Sequence, residues 1–362
     1  AVGFGAMYSN TTGSTNTAVG NNSLSINTIG YNNTAMGYQS MNLNISGYDN
    51  TAVGRRSLYS NTTGINNASF GLNSLYTNST GNNNTALGYS SLYSNTVGTQ
   101  NTALGSGSLL FNITGNNNTA IGLDALNANV SGFNNTAVGN ISLFNNTGNY
   151  NTALGYNAGS TITTGANLTC LGIDAAPSSP TAIDQVTLGN IFVTSLRCNV
   201  QTITSLSDVR DKKNIKELSL GLDFITKLHP RQFNWDKREW YDGNVSDGSK
   251  MKDAPTAGFI AQELDELQQT AGAEWLNLVL KDNPEKWEAT YGNLLPVMVK
   301  AIQELKAEND ELSAGLLAEK NKNETLEARL IKYEQMQNTL AKKMEELEAK
   351  NNDIKEIRFG EK

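Results

Sequence analysis

The sequence predicts two kinds of fold in one chain: a mainly β N-terminal part built as a solenoid, and a small α+β domain that ends in a long α-helical coiled coil. Three observations predict this division. A 17-residue phrase repeats through the first half, charged side chains are concentrated in the second half, and an apolar heptad runs to the C-terminal end. A fixed repeat of this length is typical of stacked units that each contact only their neighbours.

The repeated phrase reads T-A-Φ-G-x-x-S-L-x-x-N-x-x-G-x-x-N, where Φ is apolar. Its copies begin at Thr17, Thr34, Thr51, Ala68, Thr85, Thr102, Thr119, Thr136 and Thr152, and a partial copy begins at Thr169. Only the step from Thr136 to Thr152 is one residue short. The chain opens inside a copy, so we expect the natural N-terminus to lie upstream. The repeats predict a β-solenoid over residues 1–172, with one coil per copy.

Two apolar positions of each copy are expected to face the interior of the solenoid. The first is Φ, represented by Val19, and the second is the leucine five residues later, represented by Leu24. The glycines equivalent to Gly30 are expected at turns that need φ > 0, with asparagines that cap the neighbouring turns. Two apolar side chains per coil cannot offset a backbone ordering cost of roughly 1–2 kcal/mol per residue. We therefore expect partner chains to cover one flank.

Charge excludes several classes of function. Residues 1–200 contain three arginines, four aspartates, no lysine and no glutamate, so the net charge of −7 lies almost wholly in the C-terminal part. No basic stripe is present to bind nucleic acid, and no apolar run is long enough to span a membrane. The repeats offer only Asp49 and Asp124 as carboxylates, so they lack the paired acids of a glycoside hydrolase.

Cysteine and histidine are scarce. Cys170 and Cys198 lie 28 residues apart in a strand-like segment, where two small buried thiols are favoured over a disulfide. His229 is the only histidine, which excludes histidine-based catalytic triads and multi-histidine metal sites. No metal and no cofactor are predicted.

The segment after the repeats contains the candidate for chemistry. Residues 173–206 are predicted to form a β-rich junction of two or three short strands. In the sequence Ser207-Asp208-Val209-Arg210-Asp211-Lys212, a serine nucleophile needs a base, and Lys212 can serve if burial and the neighbouring cations favour its neutral form. The alternative is a helix N-cap at Ser207 or Asp208 with solvated lysines, which the spacing alone favours.

A heptad beginning at Ile302 predicts a coiled coil over residues 297–358. Its a positions are Ile302, Asn309, Leu316, Asn323, Leu330, Gln337, Met344 and Asn351, and its d positions are Leu305, Leu312, Glu319, Leu326, Tyr333, Leu340, Leu347 and Ile354. Buried amides at a positions fix register and oligomeric state at a cost in stability. The coil is therefore expected to align chains more than to bind them tightly.

Two resemblances give these regions a context. The N-T-A-Φ-G phrase resembles the head repeats of trimeric autotransporter adhesins and viral tail fibres, which implies a left-handed β-roll wound as a trimer. The motifs S-D-x-R-x-K-x-x-I at 207–215, G-F-I-A-Q-E-L at 258–264 and L-P-V-x-V-K-A-I-Q-E-L at 295–305 resemble the intramolecular chaperone of phage tail fibres and endosialidases, the peptidase S74 family.

The second resemblance implies a homotrimeric chaperone domain over residues 207–296. It further implies cleavage of the Leu206–Ser207 bond, with Ser207 as the nucleophile and Lys212 as the base. The chain is thus predicted to be the distal part of a trimeric phage tail fibre in the virion. Its repeats would bind a host cell-surface receptor, with a glycan as one candidate. The alternative is a non-cleaving trimeric adhesin or structural fibre on a bacterial surface. Any enzymatic activity would be a single self-directed cleavage.

Overall fold

The computed structural model describes residues 1–193, 195–197, 205 and 207–359, with side chains described to 352. The chain divides into two compact units. The solenoid unit comprises residues 1–205 together with 281–286, and the C-terminal unit comprises residues 206–280 and 287–362.

The solenoid unit is one parallel sheet of eleven short strands in sequence order, which confirms the predicted β-solenoid. Each strand pairs with the copy one repeat away, so that Thr17 lies opposite Thr34 and Ala18 opposite Ala35. The strands are β1 (Thr17–Val19), β2 (Thr34–Met36), β3 (Thr51–Val53), β4 (Ala68–Phe70), β5 (Thr85–Leu87), β6 (Thr102–Leu104), β7 (Thr119–Ile121), β8 (Thr136–Val138), β9 (Thr152–Leu154), β10 (Thr169–Leu171) and β11 (Val186–Leu188). Stacking therefore continues past the partial copy at Thr169.

The interior of the solenoid follows one of the two predicted apolar ladders. The leucine position is fully buried, from Leu24 to Leu143. The prediction for Φ was wrong: Val19 is 37% exposed and Leu154 is 52% exposed. Successive side chains of a strand point to opposite faces, and the middle residue of each strand, usually alanine, is the one that points inward. The leucines pack with these alanines in one buried cluster, and the same inward position holds Ser69 in β4 and Cys170 in β10.

The predicted reason for the glycines equivalent to Gly30 was also wrong. These glycines do not have positive φ; that conformation occurs instead at Gly20 and its equivalents, where φ is +132° at Gly20 itself. Close approach of neighbouring coils explains the first set, because a Cβ placed on Gly64 would lie 2.5 Å from the carbonyl oxygen of Gly81. The asparagines expected to cap turns do so from the interior: Asn61 is 0% exposed and donates from Nδ2 to the carbonyl oxygen of Gly64 at 3.0 Å.

The cysteine predictions are tested at one position. Cys170 is a free, buried thiol on β10 at the position that alanine holds in most other coils. Burial raises its pKa to about 11. Cys198 lies outside the described residues.

The C-terminal unit has a small mixed core. Its elements are α1 (Leu222–Ile225), β12 (Arg231–Asn234), β13 (Pro255–Gly258), α2 (Ala261–Thr270), β14 (Val279–Leu280), β15 (Glu288–Ala289) and α3 (Leu295–Phe359). β12 pairs with β13, and β14 with β15, both antiparallel. The core is formed by Phe224, Leu264, Ala273, Leu276, Leu278, Val279, Leu294 and Val297.

Helix α3 has two different faces in its first turns. Val297 and Ala301 are buried, and Glu304 accepts a hydrogen bond from the backbone N–H of Leu222 at 2.7 Å, which attaches α3 to the start of α1. Leu295 and Ile302, in contrast, are 62% and 66% exposed. The predicted long helix is confirmed, and its a and d side chains are exposed as far as they are described. Within the described part of the chain, no helix combines the length and apolarity needed to cross a bilayer.

Candidate functional site

A short turn at the start of the C-terminal unit brings together the two side chains that the sequence singled out. Asp208 caps a 3₁₀ turn over Val209–Asp211: its carboxylate accepts a hydrogen bond from the backbone N–H of Arg210 at 2.8 Å. The backbone N–H of Lys212 then donates to the carbonyl oxygen of Val209 at 3.2 Å. An aspartate at this position satisfies N–H groups that a turn leaves unpaired, and the turn reverses the chain so that Lys212 comes back beside Ser207.

The contact between the two side chains is direct. Lys212 Nζ lies 2.5 Å from Ser207 Oγ and donates to the Ser207 carbonyl oxygen at 3.3 Å. Both residues are exposed in the single chain. A serine hydroxyl and a lysine amine within hydrogen-bond distance are the minimum arrangement for a base-activated nucleophile. Leu206, on the other side of the predicted scissile bond, lies outside the described residues.

An ion pair next to this contact changes the expected electrostatics. Arg210 binds Asp208 through two nitrogens, Nη2 to Oδ2 at 2.6 Å and Nε to Oδ1 at 3.0 Å. The side chain and backbone N–H of Arg210 lower the pKa of Asp208, and the same pairing raises the pKa of Arg210. Arg210 is one of the cations that the sequence places near Lys212, and its charge is largely compensated by Asp208.

The cap at Asp208 and the contact between Ser207 and Lys212 therefore occur together. Asp208 does cap a turn, and the turn is what places Lys212 against Ser207. Sequence reasoning missed the Asp208–Arg210 pair, although an acid followed two residues later by arginine was visible in the motif.

A separate cleft of about 370 Å³ lies between α2 and the segment leading into β12. Arg231 holds Glu263 there, with Nη2 to Oε1 at 2.6 Å and Nε to Oε2 at 3.1 Å. Hydrogen bonds from Arg231 lower the pKa of Glu263. His229, the only histidine, lines this cleft as well. Because its carboxylate is already engaged by an arginine, Glu263 is better placed to join β12 to α2 than to act as a base. In the described ranges, no group of three or more His, Cys, Asp or Glu side chains is arranged to hold a metal ion.

Comparison with known proteins gives a match, and it lies in the C-terminal unit. The Peptidase S74 family, described as the chaperone of endosialidase, matches residues 207–273. This match begins at Ser207 and confirms the resemblance drawn from the motifs for that segment. Neither the curated proteins nor the solved structures gave a match.

Proposed function

We propose that the chain is the distal part of a trimeric phage tail fibre, and that its C-terminal unit drives trimer folding and then cuts itself off at the Leu206–Ser207 bond. The observation that carries this proposal is the 2.5 Å contact between Lys212 Nζ and Ser207 Oγ. It lies at the first residues of the segment that matches the endosialidase chaperone family.

The proposed cleavage uses only groups of this chain and water. Neutral Lys212 takes the proton of Ser207 Oγ, and the oxygen attacks the carbonyl carbon of Leu206. The Leu206–Ser207 amide bond breaks as an ester to Oγ forms, and the amine of Ser207 takes up a proton. Water then hydrolyses the ester and leaves a carboxylate on Leu206 and a free hydroxyl on Ser207. One turnover removes the substrate, so no external substrate is expected.

Assembly is expected to precede this reaction. Lysine acts as a base only as the neutral amine, and burial favours that form. Ser207 and Lys212 are exposed in the single chain. Neighbouring chains that cover the turn would remove water from it, so we expect trimers to be cleaved and isolated chains to remain intact.

An exposed apolar row on the solenoid unit supports the trimer. The Φ side chains point outward from successive strands and are 37–52% exposed at the six coils beginning at Thr17, Thr34, Ala68, Thr85, Thr102 and Thr152. Because the strands pair in register, these side chains form a straight row with a spacing of about 4.8 Å. Long exposed apolar rows mark interaction surfaces. Another copy of this chain carries an apolar row of the same spacing, which makes it a well-matched partner.

The heptad of α3 supports the same conclusion from the C-terminal unit. Its described apolar a and d residues are exposed, with Leu312 and Leu316 each 74% exposed. A helix with such a seam buries it against parallel copies. The polar a residues Asn309, Asn323 and Gln337 would then fix the register of the chains.

Denaturing gels and mass spectrometry of the expressed full chain test the cleavage. We expect a fragment of residues 207–362, and we expect it to disappear completely in Ser207→Ala and Lys212→Ala. Asp208→Asn is the matched control, because asparagine can still accept the capping hydrogen bond, and it should cleave. A single full-length band from the parent chain, with trimers present, would favour the runner-up: a non-cleaving trimeric adhesin or structural fibre of a bacterial surface.

The chaperone role has its own test. Residues 1–206 produced alone should fail to form the trimeric solenoid that the full chain forms, as judged by light scattering and circular dichroism. Native assembly of that fragment would remove the need for a chaperone. Binding of a host receptor by the repeats is part of the proposal, and the observation that supports it is the exposed surface that the coils present.

A further inference from the structure

Near the C-terminal end of the solenoid, the side chains that line its interior change from asparagine to apolar residues. In every coil from Thr17 to Asn151, two asparagine positions are buried; examples are Asn78, which is 0% exposed, and Asn84, which is also 0% exposed. In the coil that begins at Thr152 the same two positions hold Ile162 and Leu168, at 0% and 1% exposure.

The buried asparagines form two amide ladders along the solenoid. In the first ladder, the Nδ2 group of each asparagine donates to the Oδ1 atom of the asparagine 17 residues earlier and to a glycine carbonyl in its own coil. Asn78, for example, donates to Asn61 at 2.9 Å and to Gly81 at 3.0 Å. In the second ladder, Asn84 binds Asn67 Oδ1 through both its backbone N–H and its side chain. Each amide is therefore satisfied only when a neighbouring coil is already in place.

The first ladder stops where the repeat is one residue short. Asn146 donates to Gly148, and it accepts from Asn151 at 2.8 Å instead of donating back to Asn129. Asn129 Oδ1 is consequently buried with no hydrogen-bond partner among the residues that the structure describes. An unsatisfied buried acceptor is costly, so the missing residue marks a weak joint between two blocks of coils.

Beyond this joint the coils are held by apolar packing. We call residues 152–188 the apolar end block. Gly159 takes the place of the usual leucine, and Ile162 fills the space: a Cβ on Gly159 would lie 3.1 Å from Ile162 Cδ1 and 2.8 Å from Leu143 Cδ2. Ala158 replaces the usual buried serine. Apolar side chains gain from burial without needing a partner amide in a neighbouring coil.

We propose that the apolar end block is the folding nucleus of the solenoid, and that the asparagine-lined coils wind onto it from the C-terminal side toward the N-terminus. An asparagine-lined coil that formed first would bury amides with no neighbour to pair them, whereas the apolar end block avoids this cost. Folding of a repeat protein can begin at any repeat. The repeat that forms most favourably therefore sets the direction in which folding spreads along the solenoid. This inference rests on the proposed chaperone function at one point: the apolar end block would be the segment on which the chaperone acts first.

Pulsed hydrogen exchange with mass spectrometry during refolding of the full chain tests this order. Amides of residues 152–188 should become protected before those of residues 17–33. The double variant Ile162→Asn with Leu168→Asn, which restores the repeat phrase, should slow protection of all coils by about tenfold, since nucleus substitutions act on the folding rate. The mirror variant, Asn27→Ile with Asn33→Leu, changes a coil at the opposite end, which forms late in the proposed order, so the protection rate of residues 152–188 should stay at the parent value.

Protection that appears first at residues 17–33, or in all coils at once, would overturn the proposal. So would a wild-type rate in the Ile162→Asn, Leu168→Asn variant. If that variant does not fold, the order in the parent chain and the behaviour of the mirror variant still decide the question. Failure of the chaperone proposal would look different: refolding would then proceed equally well without residues 207–362, whatever the order of the coils.

Discussion

The solenoid unit and the C-terminal unit solve the problem of a small core in opposite ways. A coil of the solenoid buries one large apolar side chain, such as Leu75, and fills the rest of its interior with small residues and paired amides. The C-terminal unit packs Phe224, Leu264 and Leu294 into a conventional core. It also leaves a 65-residue helix with an uncovered seam. Stability is therefore collective in the first unit, where it passes from coil to coil, and local in the core of the second.

Glycine substitutions should show this contrast most strongly, because the two units use glycine differently. Gly64→Ala places a Cβ 2.5 Å from the Gly81 carbonyl oxygen. Since backbone in the next coil cannot move without disturbing the whole stack, we expect loss of soluble, assembled solenoid. Gly315→Ala in α3 meets nothing within 4 Å, and alanine is favoured over glycine in a helix by about 1 kcal/mol. The melting temperature measured by circular dichroism should therefore fall in Gly64→Ala and rise slightly in Gly315→Ala. A Gly64→Ala protein that melts like the parent would contradict the close stacking of coils.

The amide ladder should give the next largest effect. Asn78→Ala removes two donated hydrogen bonds and leaves Asn61 Oδ1, which is buried, without its donor. The free energy of unfolding should fall by about 3 kcal/mol per chain, which is the sum of a lost hydrogen bond and an unsatisfied buried acceptor.

Asn140→Ala is the matched control, since Asn140 is exposed on the turn of another coil, and its effect should stay within about 0.5 kcal/mol. Chemical unfolding monitored by circular dichroism measures both. Equal effects of the two substitutions would mean that the interior amides contribute no more than those on the surface.

The sequence predicted the coil period, the buried leucine ladder, the long helix and the segment that matches the Peptidase S74 model, because each depends on a pattern that repeats or on a motif. It misplaced the Φ residues, because apolar character alone does not tell which face of a three-residue strand is inside. Val19 was expected inside, where the structure has Ala18. The buried role of Asn78 was missed, because asparagine ladders need a partner 17 residues away that turn preferences do not consider. At the candidate site, the motif singled out Ser207 and Lys212, whose catalytic roles stay a prediction, and the cap that brings Lys212 to Ser207 depends on backbone geometry.

Cys170 offers the smallest and most selective test of the collective interior. Its pKa is raised to about 11 by burial, whereas a thiol in the unfolded chain ionises near pH 8.5. Because the folded pKa is the higher one, the stabilising contribution is complete below about pH 8.5 and is lost as the pH rises toward 11. The loss amounts to about 3 kcal/mol by pH 11. Cys170→Ala introduces the residue that most other coils carry and should remove this alkaline component, while leaving stability near pH 7 almost unchanged. Denaturant midpoints for both proteins between pH 7 and 11 measure the difference. Parallel pH profiles would mean that the thiol is not held in the dry interior.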